Sequence, residues 1–263
     1  MKILIFGAGK MGAWFVESLC LEHEVAVFDK SKKKLRYFFN AHRFVSYEEI
    51  RGFNPDLLIN AVSLQHTKEA FDEVIPYLSK ECILSDITSV KNGLDQYYQE
   101  KGMRFVSTHP MFGPTFANVR ELSNQNAVII KESDEEGKKF FRDFYDSFSL
   151  KIFEYTFEEH DKTTAYSLSI PFSSTMVFAA SMKKQEAPGT TFKKHLEIAR
   201  GLLFSEDDYL LTEILFNPYT LDQIENVHSK LDRLIGLIKE RNTDELIAFF
   251  NEMRNNIKGM EHH

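Results

Sequence analysis

The chain has 263 residues, enough for one large domain or two modest ones. Its formal net charge of −7 argues against a general nucleic-acid binder, and no apolar run reaches the length of a membrane span. An apolar fraction of 43%, with 24 Phe, suits a well-filled core.

Lys2-Ile3-Leu4-Ile5-Phe6 reads as a first strand, and it runs into Gly7-Ala8-Gly9-Lys10-Met11-Gly12. Gly7 permits a tight turn, Gly9 lets the backbone approach a pyrophosphate, and Gly12 lets the next helix pack on the strand. That helix, predicted over Met11–Leu21, aims its free N–H groups and dipole at the phosphates. Lys10 and Met11 lie at the same turn and join the candidate cofactor-binding residues, as does Ser63 after a later strand. A second strand, Val25–Phe28, ends in Asp29, 22 residues past Gly7. A carboxylate at this spacing bonds the adenosine ribose hydroxyls and repels a 2′-phosphate, so NAD is preferred over NADP. Lys30, Lys32, Lys33 and Lys34 keep the phosphate-bearing form open. Because the first residues already form a strand, no secretory leader is expected. Cys20 and Cys82 fall on a predicted helix and strand, as buried free thiols suited to a reducing cytoplasm.

Further strands are predicted at Leu57–Val62, Cys82–Ser85, Arg104–Ser107, Ala127–Ile130 and Lys151–Tyr155. Helices are predicted at Lys32–Phe39, Tyr47–Gly52, His66–Leu78, Asn92–Gln99 and Glu135–Phe148. This alternation implies an α/β fold, a Rossmann-type doubly wound and mostly parallel sheet. After Phe157 the spacing turns helical, with candidates Glu158–Ile170, Phe172–Lys184, Phe192–Leu203, Glu206–Phe216, Leu221–Glu240 and Thr243–Lys258, and with Ser205 and Thr243 as N-caps. The expected organisation is a nucleotide-binding domain over 1–156 and an all-helical domain over 157–263. The apolar helix faces of that second domain are expected to pair two copies as a homodimer. His262 and His263 at the end of the chain are given no metal role.

Two segments at strand ends could carry chemistry: Ile83-Leu84-Ser85-Asp86-Ile87-Thr88-Ser89-Val90-Lys91-Asn92-Gly93 and Ser107-Thr108-His109-Pro110-Met111-Phe112-Gly113-Pro114. Both land at the carboxyl edge of the sheet, where a nicotinamide would lie. An alcohol that gives up a hydride must also lose its proton. His109 titrates in the right range to take it, and the Ser89 hydroxyl can orient the same oxygen. Lys91 either pairs with Asp86 or adds positive potential for an anionic substrate; the structural pairing is preferred.

The glycine turn, the Ser-Asp-Ile-Thr-Ser-Val-Lys segment and His-Pro-Met-Phe-Gly-Pro, followed by Glu159-His160-Asp161 and Ala165, resemble the prephenate dehydrogenase family in order and spacing over most of the chain. β-Hydroxyacid dehydrogenases and pyrroline-carboxylate reductases share the glycine start, but the histidine motif argues against them. A regulator that binds NAD without catalysis is a further alternative, disfavoured by the intact Ser89 and His109. The resemblance implies NAD-dependent oxidative decarboxylation of prephenate to 4-hydroxyphenylpyruvate in tyrosine biosynthesis, with arogenate as the alternative substrate. It implies His109 and Ser89 as catalytic and substrate-binding residues. The chain departs from the family pattern in two places. Phe172 stands where a histidine is common. Leu202 stands where an arginine is common, leaving Arg200 two positions earlier as a substrate-binding candidate. On a helix that offset turns the side chain by about 200°. Lys193, Lys194 and His195 are other candidate anion binders.

Overall fold

A computed structural model describes residues 1–112, 122–205 and 213–260. Eight strands form one sheet in the order β3-β2-β1-β4-β5-β6-β7-β8. They are β1 (Lys2–Phe6), β2 (Glu24–Phe28), β3 (His42–Phe44), β4 (Leu57–Asn60), β5 (Ile83–Asp86), β6 (Phe105–Pro110), β7 (Asn126–Ile130) and β8 (Lys151–Tyr155). The inner strands are apolar on both faces because helices cover both faces of a parallel sheet. On one side Trp14, Phe15, Phe141, Phe144 and Tyr145 pack on Ile3, Ile5 and Ile59. On the other, Ile50, Phe71, Val74, Tyr98 and Phe157 pack on Leu4, Leu58 and Leu84.

All seven expected strands are present. β3 was not expected: His-Arg-Phe has three residues, mostly exposed on the sheet edge, with no apolar alternation to reveal it. The helices of this half are α1 (Lys10–Leu19), α2 (Lys32–Leu35), α3 (Tyr47–Phe53), α4 (Thr67–Val74), α5 (Leu94–Lys101) and α6 (Glu135–Ser147). α2 is a single turn rather than the helix expected to Phe39. It buries only Leu35 and sets three lysines side by side.

Two features of the topology position the site. The chain passes from β1 to β2 on one side and later returns to β4 on the other, so a crevice opens between the carboxyl ends of β1 and β4. The last parallel pair of β5 and β6 is Asp86 with Ser107, and β6 then runs on. Its extension, Thr108-His109-Pro110, pairs antiparallel with Ile129, Val128 and Ala127 of β7. His109 is therefore held on a strand beyond the end of its parallel neighbour, two residues past the expected Arg104–Ser107 strand.

β7 and β8 are mutually parallel and both run against β6. α7 (Phe157–Thr164) thus starts at the opposite edge of the sheet, where Phe157 meets Phe105 with ring centroids 6.0 Å apart. It climbs along β6 toward His109. After it comes a π-helical stretch, Ala165–Ser169, leading into α8 (Ile170–Ala180). Pro171 has no N–H for the carbonyl four residues earlier, which widens the preceding turn.

The remaining helices are α9 (Thr190–Ser205), α10 (Glu213–Phe216), α11 (Thr220–Glu240) and α12 (Thr243–Met260). Ser205, an expected N-cap, lies in α9, and the residues that follow it are outside the described ones. One expected cap is corrected. Asn242, not Thr243, caps α12: its side-chain oxygen accepts the Glu245 N–H at 3.1 Å. Residues 206–212 of the expected Glu206–Phe216 helix lie outside the described residues, as do Gly113, Pro114, His262 and His263. Among the described residues no helix is long and apolar enough to cross a membrane.

Candidate active site

The cofactor end is built by the glycine turn. Gly7 sits at φ +113°, and a Cβ there would lie 2.9 Å from the Ala61 carbonyl oxygen. A Cβ on Gly12 would lie 1.9 Å from the Gly7 carbonyl oxygen, so α1 can rest on β1 only with glycine there. Nothing lies within 4 Å of the Cβ position of Gly9. That open space over the N-terminus of α1 fits a diphosphate. Met11 is half-buried against the core, while Lys10 is exposed at the first turn.

Asp29 Oδ2 accepts the Ala8 N–H at 3.0 Å, and Oδ1 accepts the Ser31 N–H at 2.8 Å. The carboxylate thus ties the end of β2 to the glycine turn, and each oxygen keeps a lone pair for a ribose hydroxyl. Lys34 Nζ lies 3.6 Å from Oδ2. Ser63 follows β4 at the other lip of the crevice, where its carbonyl accepts the His66 N–H at 2.9 Å. The residues present fit a dinucleotide.

Beneath the neighbouring part of the edge lies a buried polar network. Asp86, at the end of β5, accepts from Lys91 Nζ at 2.6 Å, Thr88 Oγ1 at 2.7 Å and the Tyr98 hydroxyl at 2.7 Å. Lys91 Nζ also donates to the Thr108 carbonyl at 2.7 Å. Burial alone would push the Asp86 carboxyl up, but the Lys91 charge and hydrogen bond, with Thr88, outweigh it and hold it below its ordinary value. Lys91 is fully buried in this pairing, so it is a strut between β5 and β6 and not a cation open to substrate. Its job is to fix the turn that carries Ser89.

His109 follows Thr108 on β6, and Ser89 lies in the turn between Asp86 and Lys91. The Ser89 hydroxyl is buried and has no hydrogen-bond partner among the described residues. Such an atom is costly unless a ligand completes it. His109 is held well below its ordinary pKa by burial first, then by His160 and Lys91. It is therefore a neutral imidazole at neutral pH, with one nitrogen free to accept. Its Nδ1 lies 3.0 Å from His160 Nε2. Phe112, from the same motif, packs its ring on Trp14 of α1 at 5.3 Å and anchors the segment that leaves β6.

The Glu-His-Asp segment proves to have two jobs. Glu159 closes a capping box with Thr156 and accepts from Lys131 Nζ at 2.8 Å, which fixes the start of α7. His160 and Asp161 are buried and face His109 and Lys91. Sequence reasoning gave these two residues no role. The available signal was two charged or titratable residues on a helical stripe shared with Phe157, Ala165 and Leu168, which should otherwise be apolar.

The candidate substrate cations lie on α9, which packs on α8, and Arg200 is exposed there. Lys193 and Lys194 are exposed on the same helix, and the His195 ring lies 5.4 Å from that of Phe178. Phe172 is half-buried at the start of α8.

Comparison with known proteins agrees with this fold. The family description "Prephenate dehydrogenase, nucleotide-binding domain" matches residues 20–150. A prephenate dehydrogenase of Lactococcus lactis is 25% identical, with 100% of this chain and 78% of that protein covered. A probable arogenate/prephenate dehydrogenase of Methanocaldococcus jannaschii is 22% identical over 75% of this chain, which spans only 47% of that protein's length. The crystal structure of Aquifex aeolicus prephenate dehydrogenase with hydroxyphenyl propionate and NAD+ superposes with a TM-score of 0.83 at 20% identity, covering 100% of this chain and 98% of that one. Residues 20–150 thus match the nucleotide-binding domain of the prephenate dehydrogenase family, and the fold agrees with that of a prephenate dehydrogenase over the whole chain.

Proposed function

We propose that this chain is an NAD-dependent prephenate dehydrogenase, converting prephenate to 4-hydroxyphenylpyruvate in tyrosine biosynthesis. The observation that supports the reading is the neutral His109 imidazole, pinned on β6 at the carboxyl edge of the sheet, together with the buried Ser89 hydroxyl left unpartnered among the described residues in the turn after β5. NAD, when bound, accepts the hydride from the ring carbon that bears the hydroxyl. Gly7, Gly9, Lys10, Met11, Gly12, Asp29 and Ser63 would hold it across the β1–β4 crevice. His109 takes the hydroxyl proton, and Ser89 holds the same oxygen. Loss of the ring carboxylate as carbon dioxide makes the ring aromatic and drives the reaction forward. The protein supplies alignment and charge.

In this reading residues 1–156 bind the nucleotide and 157–263 bind substrate and pair two copies, with Arg200 and its neighbours on α9 as cations for the substrate carboxylates. Leu231 and Ile238 of α11 and Ile247 and Ile257 of α12 remain exposed, which is apolar area that a two-fold partner would cover. A cytoplasmic setting goes with the two free cysteines. Arogenate, which carries an amino group in place of the keto group, is the second reading, because Phe172 removes the polar handle that a histidine would offer prephenate there. The test is reduced-nicotinamide formation by the purified protein with NAD or NADP, and prephenate or arogenate. Turnover of prephenate with NAD supports the first reading. Turnover of arogenate alone selects the second, and none with either substrate refutes both.

A further inference from the structure

We propose that Asp161 and His160 are positioning residues that set the tautomer of His109, through a buried hydrogen-bond chain that leaves His109 Nε2 as the proton acceptor. The proposal rests on the reading of His109 as the base. It follows from which atoms can donate. Asp161 Oδ1 receives the Lys91 backbone N–H at 2.8 Å and lies 2.9 Å from His160 Nδ1. A carboxylate only accepts, so His160 must carry its proton on Nδ1. Its Nε2 is then a bare acceptor, 3.0 Å from His109 Nδ1. That contact is satisfied only if His109 carries its proton on Nδ1, which leaves Nε2 with a free lone pair.

The opposite order would start from a protonated Asp161. It would end with an N–H at His109 Nε2, which could not take the substrate proton. His160 and Asp161 are 1% and 3% exposed, so water does not compete for these bonds. The Asp161 main chain is also held, because Asn217 Nδ2 donates to its carbonyl at 2.8 Å. When His109 becomes cationic during turnover, its Nδ1–H bond to His160, and that of His160 to the carboxylate, spread the charge.

The experiment compares His160→Leu with His160→Gln. Leucine removes the acceptor for His109 Nδ1–H, while the glutamine carbonyl can restore it. His160→Leu should lower kcat by on the order of 10²-fold, with the KM for NAD unchanged. His160→Gln should recover at least about tenfold of that loss. Nitrogen-15 NMR of the histidines in the wild-type protein should show His109 unprotonated at Nε2 near neutral pH. That measurement decides the question even if the leucine variant does not fold. Wild-type His109 protonated at Nε2, or a His160→Leu enzyme with unreduced kcat, overturns the proposal. His109→Asn separates the two layers. If it loses turnover while His160→Leu keeps it, only the orienting chain is wrong. If His109→Asn turns over normally, the base assignment itself falls.

Discussion

Lys91→Met is the sharpest test of how the carboxyl edge of the sheet is built. The Lys91 and Asp86 side chains are both 0% exposed, and Nζ makes bonds of 2.6 Å to Asp86 Oδ1 and 2.7 Å to the Thr108 carbonyl. Methionine fills much the same volume but strands a buried carboxylate. Breaking one partner of such a pair costs about 3–5 kcal/mol. The Thr88 and Tyr98 donors remain and put the expected loss at the lower end, about 3 kcal/mol. At this chain length that is a fall in Tm of about 6–12 °C, measured by thermal melting followed by circular dichroism.

The sign with pH follows from Asp86. In the wild type its folded pKa is depressed, so its stabilisation is present above the unfolded pKa, near 4, and is lost as pH falls through the lower folded value. In Lys91→Met, burial raises the folded pKa above the unfolded one. The deficit against wild type should therefore grow as pH rises from about 4 to 7. The double variant Asp86→Asn/Lys91→Met, which buries no charge, should melt above the single variant. A Tm change under about 2 °C at neutral pH, or a deficit that does not vary with pH, would refute the reasoning.

The remaining expectations concern ligands and turnover. His109→Asn should leave NAD binding nearly intact by calorimetry and lower turnover by a factor on the order of 10² or more; unchanged turnover would remove His109 from catalysis. Asp29→Ala should weaken NAD binding with little change in kcat at saturating cofactor, and a normal affinity would show that the carboxylate only braces the Ala8 and Ser31 amides. Gly12→Ala must displace the Gly7 carbonyl, so it should lower both NAD affinity and Tm; unchanged values for both would contradict the close packing. Burial pushes the Asp161 carboxyl up to about 6, against the pull of the Lys91 backbone bond and charge and with Asp86 and Asp95 adding to the rise. His160 is pushed down to about 3, chiefly by burial, and His109 well below its ordinary value, so neither should set the acid limb. Turnover should fall as pH drops through about 6, where Asp161 takes a proton and the hydrogen-bond chain can reverse. A kcat that stays flat to pH 5 would contradict this order of titration.

What was legible in the chain were the features set by neighbours in sequence. The apolar runs at Ile3–Phe6 and Val25–Phe28, and the glycines at 7, 9 and 12, describe a strand, a turn and a helix whose constraints all lie within a few residues. The motif residues Ser89 and His109 were readable for the same reason, since each follows a strand and therefore arrives at the carboxyl edge. Less was legible where an element depends on a distant partner. β3 exists only because β2 offers an edge, and the extension of β6 to Pro110 exists only because β7 returns against it. Asn242 took the cap expected of Thr243, a shift of one residue that spacing alone does not resolve.

The sequence by itself determined the class of fold, the dinucleotide crevice and the two side chains, Ser89 and His109, that are proposed to act on an alcohol. Tertiary structure alone decided the partners of those side chains. Lys91 became a buried strut because Asp86 and the Thr108 carbonyl converge on its ammonium. His160, 51 residues after His109, came to touch it because α7 climbs along β6. The physical reason is one of range. Backbone propensity and turn chemistry act over a handful of residues, whereas a buried donor must be matched to an acceptor that the fold, and not the local sequence, delivers.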